Sequence, residues 1–375
     1  MDKAKLKVLQ FSIASSMGGR TRYILENWKY IDHEKFQFDF VTFSKDIAVE
    51  NELIQQGCKV HHFPCYPKEN EELFIAAWNK ILDEGYDIVH LNTSYWDGFL
   101  LEECAYKKGV KKIIVHSHNT GVGKQLSDEE REKIVRNHFE LQKTLDFNKI
   151  TEFWACSKAA SKWLFGERIN ENKIFITYPT ICARDYIFDE QKRNECRTTL
   201  GIGNEFLIGT VGRIVYQKNH GFLLEIFAHA FKHDKNVKLL IIGRGELEAD
   251  LRSLAVELGV VDQLIIVNSC EDIVPYYHAM DLFVLPSLYE GFPKVVLEAA
   301  ASGLRCLCSN TITDEIEFSD LIKRIPLEKT LWEKEFSCSM KRTECNRKHA
   351  IDLLLQSGFD LTKEIRRIEK KYMEN

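Results

Sequence analysis

Short apolar runs alternate along the chain with longer segments whose apolar residues recur at helical spacing. This alternation is typical of parallel β-sheets whose strands are connected by crossover helices. The pattern predicts strands at residues 7–13, 38–43, 59–63, 88–91, 112–117, 152–156 and 173–177, and a second series at 206–211, 238–242, 264–267, 282–285 and 304–308. We therefore predict an α/β protein built from two similar domains.

A polar stretch, residues 185–203, lies between the two series and shows no sustained hydrophobic periodicity. We interpret it as the linker between an N-terminal domain, residues 1–184, and a C-terminal domain, residues 185–358. The tail, residues 359–375, is highly charged, but it places Leu361, Ile365, Ile368 and Tyr372 at helical spacing. An apolar stripe of this kind predicts a helix with one buried face.

Length and charge agree with this organisation. At roughly 100 to 200 residues per domain, a chain of 375 residues fits two domains. The chain has 51 Lys and Arg against 56 Asp and Glu, and this net charge of -5 gives no global attraction for nucleic acid. The 11 cysteines are scattered without a Cys-x-x-Cys pair, which is typical of a reduced, cytoplasmic chain. No apolar run approaches the roughly 18 residues of a membrane span, although association with a membrane surface stays open.

The segment 285–299 is the most informative. A buried strand ends in a short loop, Pro293 stands where the first turn of a helix would begin, and Gly303 would end that helix. Backbone N–H groups at the start of a helix bind anions, because they point outward along the helix dipole. We predict a phosphate site here. The residues predicted to form it are Gly291, Phe292, Pro293, Lys294 and Val295, with the N–H groups of Phe292, Lys294 and Val295 free to bind the anion.

Two carboxylates, Glu290 and Glu298, bracket that loop. A carboxylate beside an anion site is costly unless it accepts hydrogen bonds from neutral groups, and sugar and ribose hydroxyls can supply them. The alternative is that Glu290 only caps the helix and that Glu298 is a solvated surface residue.

A second basic segment follows the first strand of the C-terminal domain. Gly212 ends the strand, and Arg213 and Lys218 lie on the loop before a helix predicted at residues 219–231. A fixed guanidinium and a flexible ammonium at this position could clamp a diphosphate and neutralise the charge on a leaving group. Two solvated surface cations are the alternative interpretation.

The N-terminal domain offers weaker signals. Gly18 and Gly19 follow its first strand and would let the backbone approach a ligand, although an ordinary tight turn would have the same sequence. His118 stands at the carboxyl end of the fifth strand, on the same face as His116, and a lone histidine is more often structural than catalytic. Because no further metal ligands accompany these histidines and Asp-x-Asp is absent from the sequence, we predict no metal and no cofactor.

Together these segments resemble the retaining glycosyltransferases of sequence family four, which have the GT-B fold. The specific part of the resemblance is the order Pro286-Ser287-x-Tyr289-Glu290-Gly291-Phe292 followed by Glu298-Ala299. Weaker matches are the Gly18-Gly19 loop, Cys156-Ser157-Lys158, the Gly212-Arg213 segment with Lys218, and Ile242-Gly243-Arg244-Gly245. The turn at residues 308–315 resembles that of bacterial capsular and exopolysaccharide enzymes.

This resemblance implies two facing Rossmann-like domains, with a C-terminal helix that crosses back to the first. It implies that Arg213 and Lys218 bind the donor diphosphate, that Glu290 holds hydroxyls of the transferred sugar, and that Glu298 holds the ribose. Gly19 would let the first domain close over the donor, and His118 would contact the sugar near the reacting carbon. The retained configuration would come from a front-face substitution assisted by the leaving phosphate.

The expected function is therefore a retaining, metal-independent hexosyl- or N-acetylhexosaminyltransferase in polysaccharide biosynthesis. The expected donor is a nucleotide-sugar, most simply a UDP-sugar, and the expected acceptor is a glycan or lipid-linked saccharide bound by the first domain. Two alternatives stay open at this point. One is a non-hydrolysing nucleotide-sugar epimerase, and the other is a catalytically silent relative that binds a partner transferase.

Overall fold

A computed structural model gives the structure of residues 5–15, 17–122, 126–268, 270, 272–340, 347 and 350–374. The chain divides into two compact units. Among the described residues, unit 1 comprises residues 5–122, 126–179 and 362–374, and unit 2 comprises residues 180–361. No helix among the described residues is long and apolar enough to cross a membrane.

Unit 1 is built on one parallel sheet of seven strands in the order β3-β2-β1-β4-β5-β6-β7. Its strands are β1 (Leu6–Ile13), β2 (Phe36–Thr42), β3 (Val60–His62), β4 (Ile88–Thr93), β5 (Lys112–Ser117), β6 (Glu152–Ala155) and β7 (Ile174–Ile176). Its helices are α1 (Gly19–Tyr30), α2 (Glu50–Gln55), α3 (Glu71–Leu82), α4 (Leu100–Lys107), α5 (Asp128–Thr144) and α6 (Lys158–Phe165). All seven strands predicted for this half are confirmed. The inner strands are mainly apolar because they are buried on both faces of the sheet.

Unit 2 repeats the architecture with six parallel strands in the order β10-β9-β8-β11-β12-β13. They are β8 (Phe206–Val211), β9 (Val237–Ile242), β10 (Leu264–Val267), β11 (Leu282–Leu285), β12 (Arg305–Ser309) and β13 (Ile322–Ile325). The helices are α7 (Glu190–Thr199), α8 (His220–His233), α9 (Glu248–Glu257), α10 (Val274–Ala279), α11 (Lys294–Ala301), α12 (Lys329–Met340) and α13 (Ala350–Ser357). Each unit is thus a Rossmann-like parallel sheet with crossover helices, as the sequence predicts.

The linker interpretation of residues 185–203 is wrong, because Glu190–Thr199 forms α7. Asp189 caps this helix by accepting hydrogen bonds from the N–H groups of Gln191 and Lys192. In place of an apolar stripe, α7 docks through two arginines. Arg193 and Arg197 donate to backbone carbonyls of residues 278–280 and pair with Asp281 at 2.6 and 3.3 Å. Hydrophobic periodicity cannot detect a helix that is anchored by guanidinium groups.

Strand β13 was not predicted from the sequence. It is an edge strand of four residues, Ile322–Ile325, paired on one side with β12. Its two isoleucines are buried and the Lys and Arg between them are not. Such a short segment with a polar centre lacks the continuous apolar run that identifies the inner strands.

The last helix, α14 (Leu361–Met373), belongs almost entirely to unit 1. The apolar stripe predicted from the sequence is confirmed, since Leu361, Ile365, Ile368 and Tyr372 are all buried. The Tyr372 ring stacks on Trp154 of β6, with 5.4 Å between the ring centroids. The end of the chain is therefore part of the core of the unit that contains its beginning.

Candidate functional site

Glycines follow β8 and β9 at the carboxyl edge of the unit 2 sheet and determine how the two loops there pack together. Gly212, directly after β8, has a φ of 155°, and a Cβ there would come within 2.9 Å of Cε of Lys218. The N–H of Gly212 donates to the carbonyl of Ile242, and the N–H of Ile214 donates to the carbonyl of Arg244. The two loops thus form one platform, and the missing side chain at Gly212 makes room for the lysine.

Lys218 and Glu290 form a close ion pair on this platform. Lys218 Nζ lies 2.6 Å from Oε1 of Glu290, which also accepts a 2.6 Å hydrogen bond from Ser287. Gln217 donates to Oε2 at 3.2 Å. Glu290 is only 8% exposed, and among the described residues Lys218 offers it a cation while Ser287 and Gln217 offer it neutral donors. The interpretation of Lys218 as a solvated surface cation is therefore wrong.

Arg213 differs from Lys218 in its surroundings. It is exposed, and within the described parts of the chain no hydrogen bond or ion pair holds its guanidinium. The structure therefore brings Lys218 to Glu290 but leaves Arg213 at the rim, with its five N–H donors available to a ligand.

The loop between β11 and α11 has the predicted outline. Pro293 immediately precedes the first helical residue, and Gly303, with a φ of 73°, follows the end of the helix. One detail is wrong in the prediction. The N–H of Lys294 is not free for an anion, since it donates to the carbonyl of Phe292 at 3.0 Å within the turn. Gly291, Phe292 and Pro293 are buried, whereas Lys294 and Val295 are partly exposed.

Glu298 lies one turn into α11, and it is 8% exposed. This burial excludes the interpretation of Glu298 as a solvated surface residue. Tyr277 of α10 donates a 2.7 Å hydrogen bond to its Oε2. Burial and the neighbouring Glu298 carboxylate raise the pKa of Tyr277 well above its usual value, so the phenol stays a donor at neutral pH.

In unit 1, Gly18 and Gly19 lead from β1 into α1. Gly18 caps the helix without a side-chain hydrogen bond, and neither glycine has a positive φ. A Cβ at either position would meet no described atom within 4 Å. Neither backbone conformation nor packing thus requires glycine at these two positions, and the open space beside them is accessible to a ligand.

His118 follows β5 at the carboxyl edge of the same sheet. Its Nε2 lies 2.8 Å from Oδ1 of Asn92, while Nδ2 of Asn92 donates to Gln10 and to the carbonyl of Phe11. Because the asparagine nitrogen is the donor in those contacts, its oxygen must accept and His118 Nε2 must carry the proton. Burial and the nearby Arg20 guanidinium lower the pKa of His118 well below its usual value. His118 is therefore neutral, with a lone pair on Nδ1.

Next to His118 lies a buried network of polar side chains that was not predicted from the sequence. Gln10 donates to the Tyr372 hydroxyl at 3.1 Å, and that hydroxyl lies 2.8 Å from Nδ1 of His90. His90 Nε2 in turn lies 3.1 Å from Nδ1 of His116, whose ring packs 4.0 Å from that of His118. The available signal was the presence of polar residues inside the otherwise apolar strands β1 and β4.

Buried His90 in this network leads us to expect that the folded protein becomes less stable in acid. Burial lowers the pKa of His90 to about 3, against about 6.5 in an unfolded chain. Between these values the unfolded chain binds a proton that the folded chain does not, so the free energy of unfolding should fall as the pH drops below about 6.5, by at most about 1.4 kcal/mol per pH unit from this residue. Urea unfolding at pH 7, 6 and 5 measures this slope. His90→Gln should flatten it and the exposed control His233→Gln should not, whereas equal slopes in the two variants would contradict the assignment.

A cluster of three titratable side chains lies on the β2–β3 side of unit 1. Ligand atoms of Asp39, His61 and Glu84 lie within 4.8 Å of one another, a spacing compatible with a metal ion. However, Asp39 accepts 2.8 Å hydrogen bonds from the Tyr86 hydroxyl and from the N–H of Lys59, and Glu84 pairs with Nζ of Lys59 at 2.5 Å. Protein donors thus occupy these carboxylate oxygens. Hydrogen bonds within the protein are sufficient to explain why the three side chains lie together.

Part of this chain matches a known family, and several known proteins are similar to most of its length. Residues 192–316 match the family described as Glycosyl transferases group 1. The putative glycosyltransferase EpsF of Bacillus subtilis is 26% identical over 97% of this chain and 96% of its own. The capsular polysaccharide biosynthesis glycosyltransferase CapH of Staphylococcus aureus is 22% identical over 98% and 99%.

Two further proteins extend the comparison. An Escherichia coli galactosyltransferase, named as acting from UDP-Gal on α-D-GlcNAc-diphosphoundecaprenol, is 24% identical over 82% of this chain and 80% of its own. Among solved structures, Anabaena HepE with UDP and glucose superposes with a TM-score of 0.77 at 15% identity, covering 99% of this chain and all of HepE.

The fold is thus that of the GT-B glycosyltransferases, and residues 192–316 are similar to the Glycosyl transferases group 1 family. Of these similar proteins, CapH is named for capsular polysaccharide biosynthesis. The family resemblance noted in the sequence is confirmed.

Proposed function

We propose that the chain is a retaining glycosyltransferase that moves a sugar from a UDP-sugar to a lipid-linked saccharide during polysaccharide assembly. The observation that carries this proposal is the Lys218–Glu290 pair, which places a cation and a hydroxyl-binding carboxylate 2.6 Å apart beside the start of α11. A diphosphate needs the first group and a sugar needs the second. The UDP-sugar is supported by the UDP named for two of the relatives, and the lipid-linked acceptor by the name of the E. coli relative.

In this proposal unit 2 binds the donor. Arg213 at the rim and Lys218 on the platform neutralise the diphosphate, and the amino-terminal end of α11 adds its dipole. Glu290 holds hydroxyls of the transferred sugar, and Glu298, oriented by Tyr277, accepts hydrogen bonds from the ribose. Besides Glu298, the donor-binding set proposed from the sequence comprises Gly18 and Gly19 of unit 1 and Gly212, Gly291, Phe292, Pro293, Lys294 and Val295 of unit 2.

Unit 1 would bind the acceptor, and its His118 would contact the transferred sugar. Gly18 and Gly19 leave open space at the start of α1, and neutral His118 offers the Nδ1 lone pair to a sugar hydroxyl. The acceptor hydroxyl would attack the anomeric carbon on the face from which the phosphate departs, and the departing phosphate oxygen would take its proton. The protein then contributes positioning and electrostatic stabilisation of the leaving group.

We propose that this stabilisation needs no metal ion. Lys218 and Arg213 supply the positive charge, and the sequence has no Asp-x-Asp. The enzyme would act in the cytoplasm, at the inner face of the membrane that holds a lipid-linked acceptor.

NMR of a UDP-sugar incubated with the purified protein tests this proposal. We expect slow release of UDP and a free sugar that first appears with the anomeric configuration of the donor, at an unchanged rate in EDTA. A new sugar attached to UDP without any acceptor would instead identify an epimerase. Unchanged donor after prolonged incubation across UDP- and GDP-sugars, with and without lipid-linked saccharides, would favour a silent partner protein.

A further inference from the structure

The carboxyl edge of the unit 1 sheet contains a cation that the proposed chemistry does not yet use. Arg20 stands in the first turn of α1, directly after Gly18 and Gly19, and is partly buried. Its one hydrogen bond among the described residues is a long one, 3.4 Å from Nη1 to the carbonyl of Asn92. No described carboxylate lies within ion-pair distance. A guanidinium has five N–H donors, so most of its hydrogen-bonding capacity is unused.

The groups around Arg20 do not balance its charge. His118 shares Asn92 with it, and both His118 and His116 are kept neutral by burial. Burial lowers the pKa of Arg20, against a weaker opposing electrostatic influence of the phenols of Tyr95 and Tyr66. Withdrawing a charge from water is costly unless an opposite charge compensates for it. A cation kept in such a place is typical of a binding site whose counter-ion is the ligand.

The aromatic residues beside it suit a sugar. Tyr66 is 55% exposed, and its other face stacks on Phe43 with 4.3 Å between ring centroids and 10° between the planes. A tyrosine fixed in this way presents a rigid apolar face with a polar tip, which is the surface that amphipathic ligands such as saccharides contact. Among its described residues, unit 1 therefore contains an unpaired guanidinium and an exposed aromatic face, on Arg20 and Tyr66, which influence each other electrostatically.

We propose that Arg20 binds a phosphoryl group of the acceptor, so that the acceptor is a sugar carrying phosphate or diphosphate, with its sugar ring against Tyr66. This inference rests on the proposed function, which already assigns the acceptor to unit 1. Arg213 and Lys218 in unit 2 provide for the diphosphate of the donor, so the phosphoryl group at Arg20 belongs to the second substrate. Arginine is suited to this role because its planar fork matches two phosphate oxygens at once.

Calorimetry of the full-length chain tests the inference in two arms. In the first, inorganic pyrophosphate is titrated into protein saturated with UDP, so that the donor site is occupied. Arg20→Met should weaken this binding about 10- to 100-fold, which is the range for a lost hydrogen bond to a charged group. Arg20→Lys should give an intermediate value, and the control Lys29→Met, which removes one exposed charge from the other end of α1, should leave it unchanged.

The second arm titrates UDP alone into the same variants, and we expect equal affinities. If Arg20→Met weakens UDP by the same factor as pyrophosphate, the phosphoryl group is the donor's and the assignment to the acceptor is overturned. Pyrophosphate binding that is indifferent to Arg20→Met overturns the site itself. A wild-type chain that binds pyrophosphate through Arg20 but binds no UDP contradicts the proposed function and leaves this site standing.

Thermal unfolding distinguishes a binding role from a structural one. Because Arg20 lacks a counter-charge among the described residues, Arg20→Met should leave the melting temperature without ligand unchanged or higher. Pyrophosphate should then raise the melting temperature of the wild type more than that of the variant. A variant that melts well below the wild type without ligand would show that Arg20 stabilises the fold, and this would contradict the proposal.

Discussion

Lys218→Ala is expected to lower kcat for transfer and for slow donor hydrolysis about 10²- to 10³-fold, the range found when one preorganised stabiliser of developing charge is removed. The physical reason is the loss of the ammonium group that balances the negative charge on the departing phosphate. Lys232, an exposed lysine of the same unit, provides the control. Lys232→Ala removes one positive charge at a position outside the platform. Rates of UDP release measure both variants.

A second variant separates the two partners of Lys218. Its Nζ lies 2.6 Å from Oε1 of Glu290, so Lys218→Ala also leaves a nearly buried carboxylate without its cation. If Lys218 acted only as the partner of Glu290, Lys218→Ala combined with Glu290→Gln would be as active as Glu290→Gln alone. We expect the double variant to be clearly less active than Glu290→Gln, and equal rates would contradict the role at the phosphate.

Gly243→Ala should cause a large loss in the free energy of unfolding. Gly243 has a φ of 149°, and a Cβ there would overlap the carbonyl oxygen of Gly212. The overlap is with backbone, which cannot move without displacing the platform under Lys218. We expect a loss of roughly 3 kcal/mol or more in the free energy of unfolding, together with weaker UDP binding.

The matched control for this loss is Gly259→Ala in the same unit. Gly259 also has a positive φ, 68°, but a Cβ there would meet no described atom within 4 Å. This variant therefore reports the backbone strain alone, about 1 to 2 kcal/mol. Urea unfolding of both proteins provides the comparison. A Gly243→Ala protein as stable as Gly259→Ala would show that the two loops are not in close contact.

The sheets could be predicted from the sequence, because inner parallel strands such as Leu282–Leu285 are continuous apolar runs. Elements that use other means of stabilisation were missed. Helix α7 docks through Arg193 and Arg197, and strand β13 has a charged centre at Lys323 and Arg324. A pattern of apolar positions carries no information about elements held by charged side chains.

The residues of the candidate site could be selected from the sequence, but the contacts between them could not. Lys218 and Glu290 were both identified, each from its place after a strand, yet they are 72 residues apart in sequence and their ion pair exists only because β8 and β11 are neighbours in the sheet. The supporting donors Ser287 and Tyr277 carry no motif of their own. Their roles become visible only when the carboxylates they contact are found to be buried.

Calorimetric titration of UDP and GDP into the purified full-length chain tests the central claim most directly, namely that the Lys218 platform and the start of α11 form a nucleoside diphosphate site. We predict saturable binding of UDP, weakened at least tenfold by Lys218→Ala and unchanged by Lys232→Ala. The absence of binding at millimolar concentrations of both nucleotides, or binding that is indifferent to Lys218, would contradict the account.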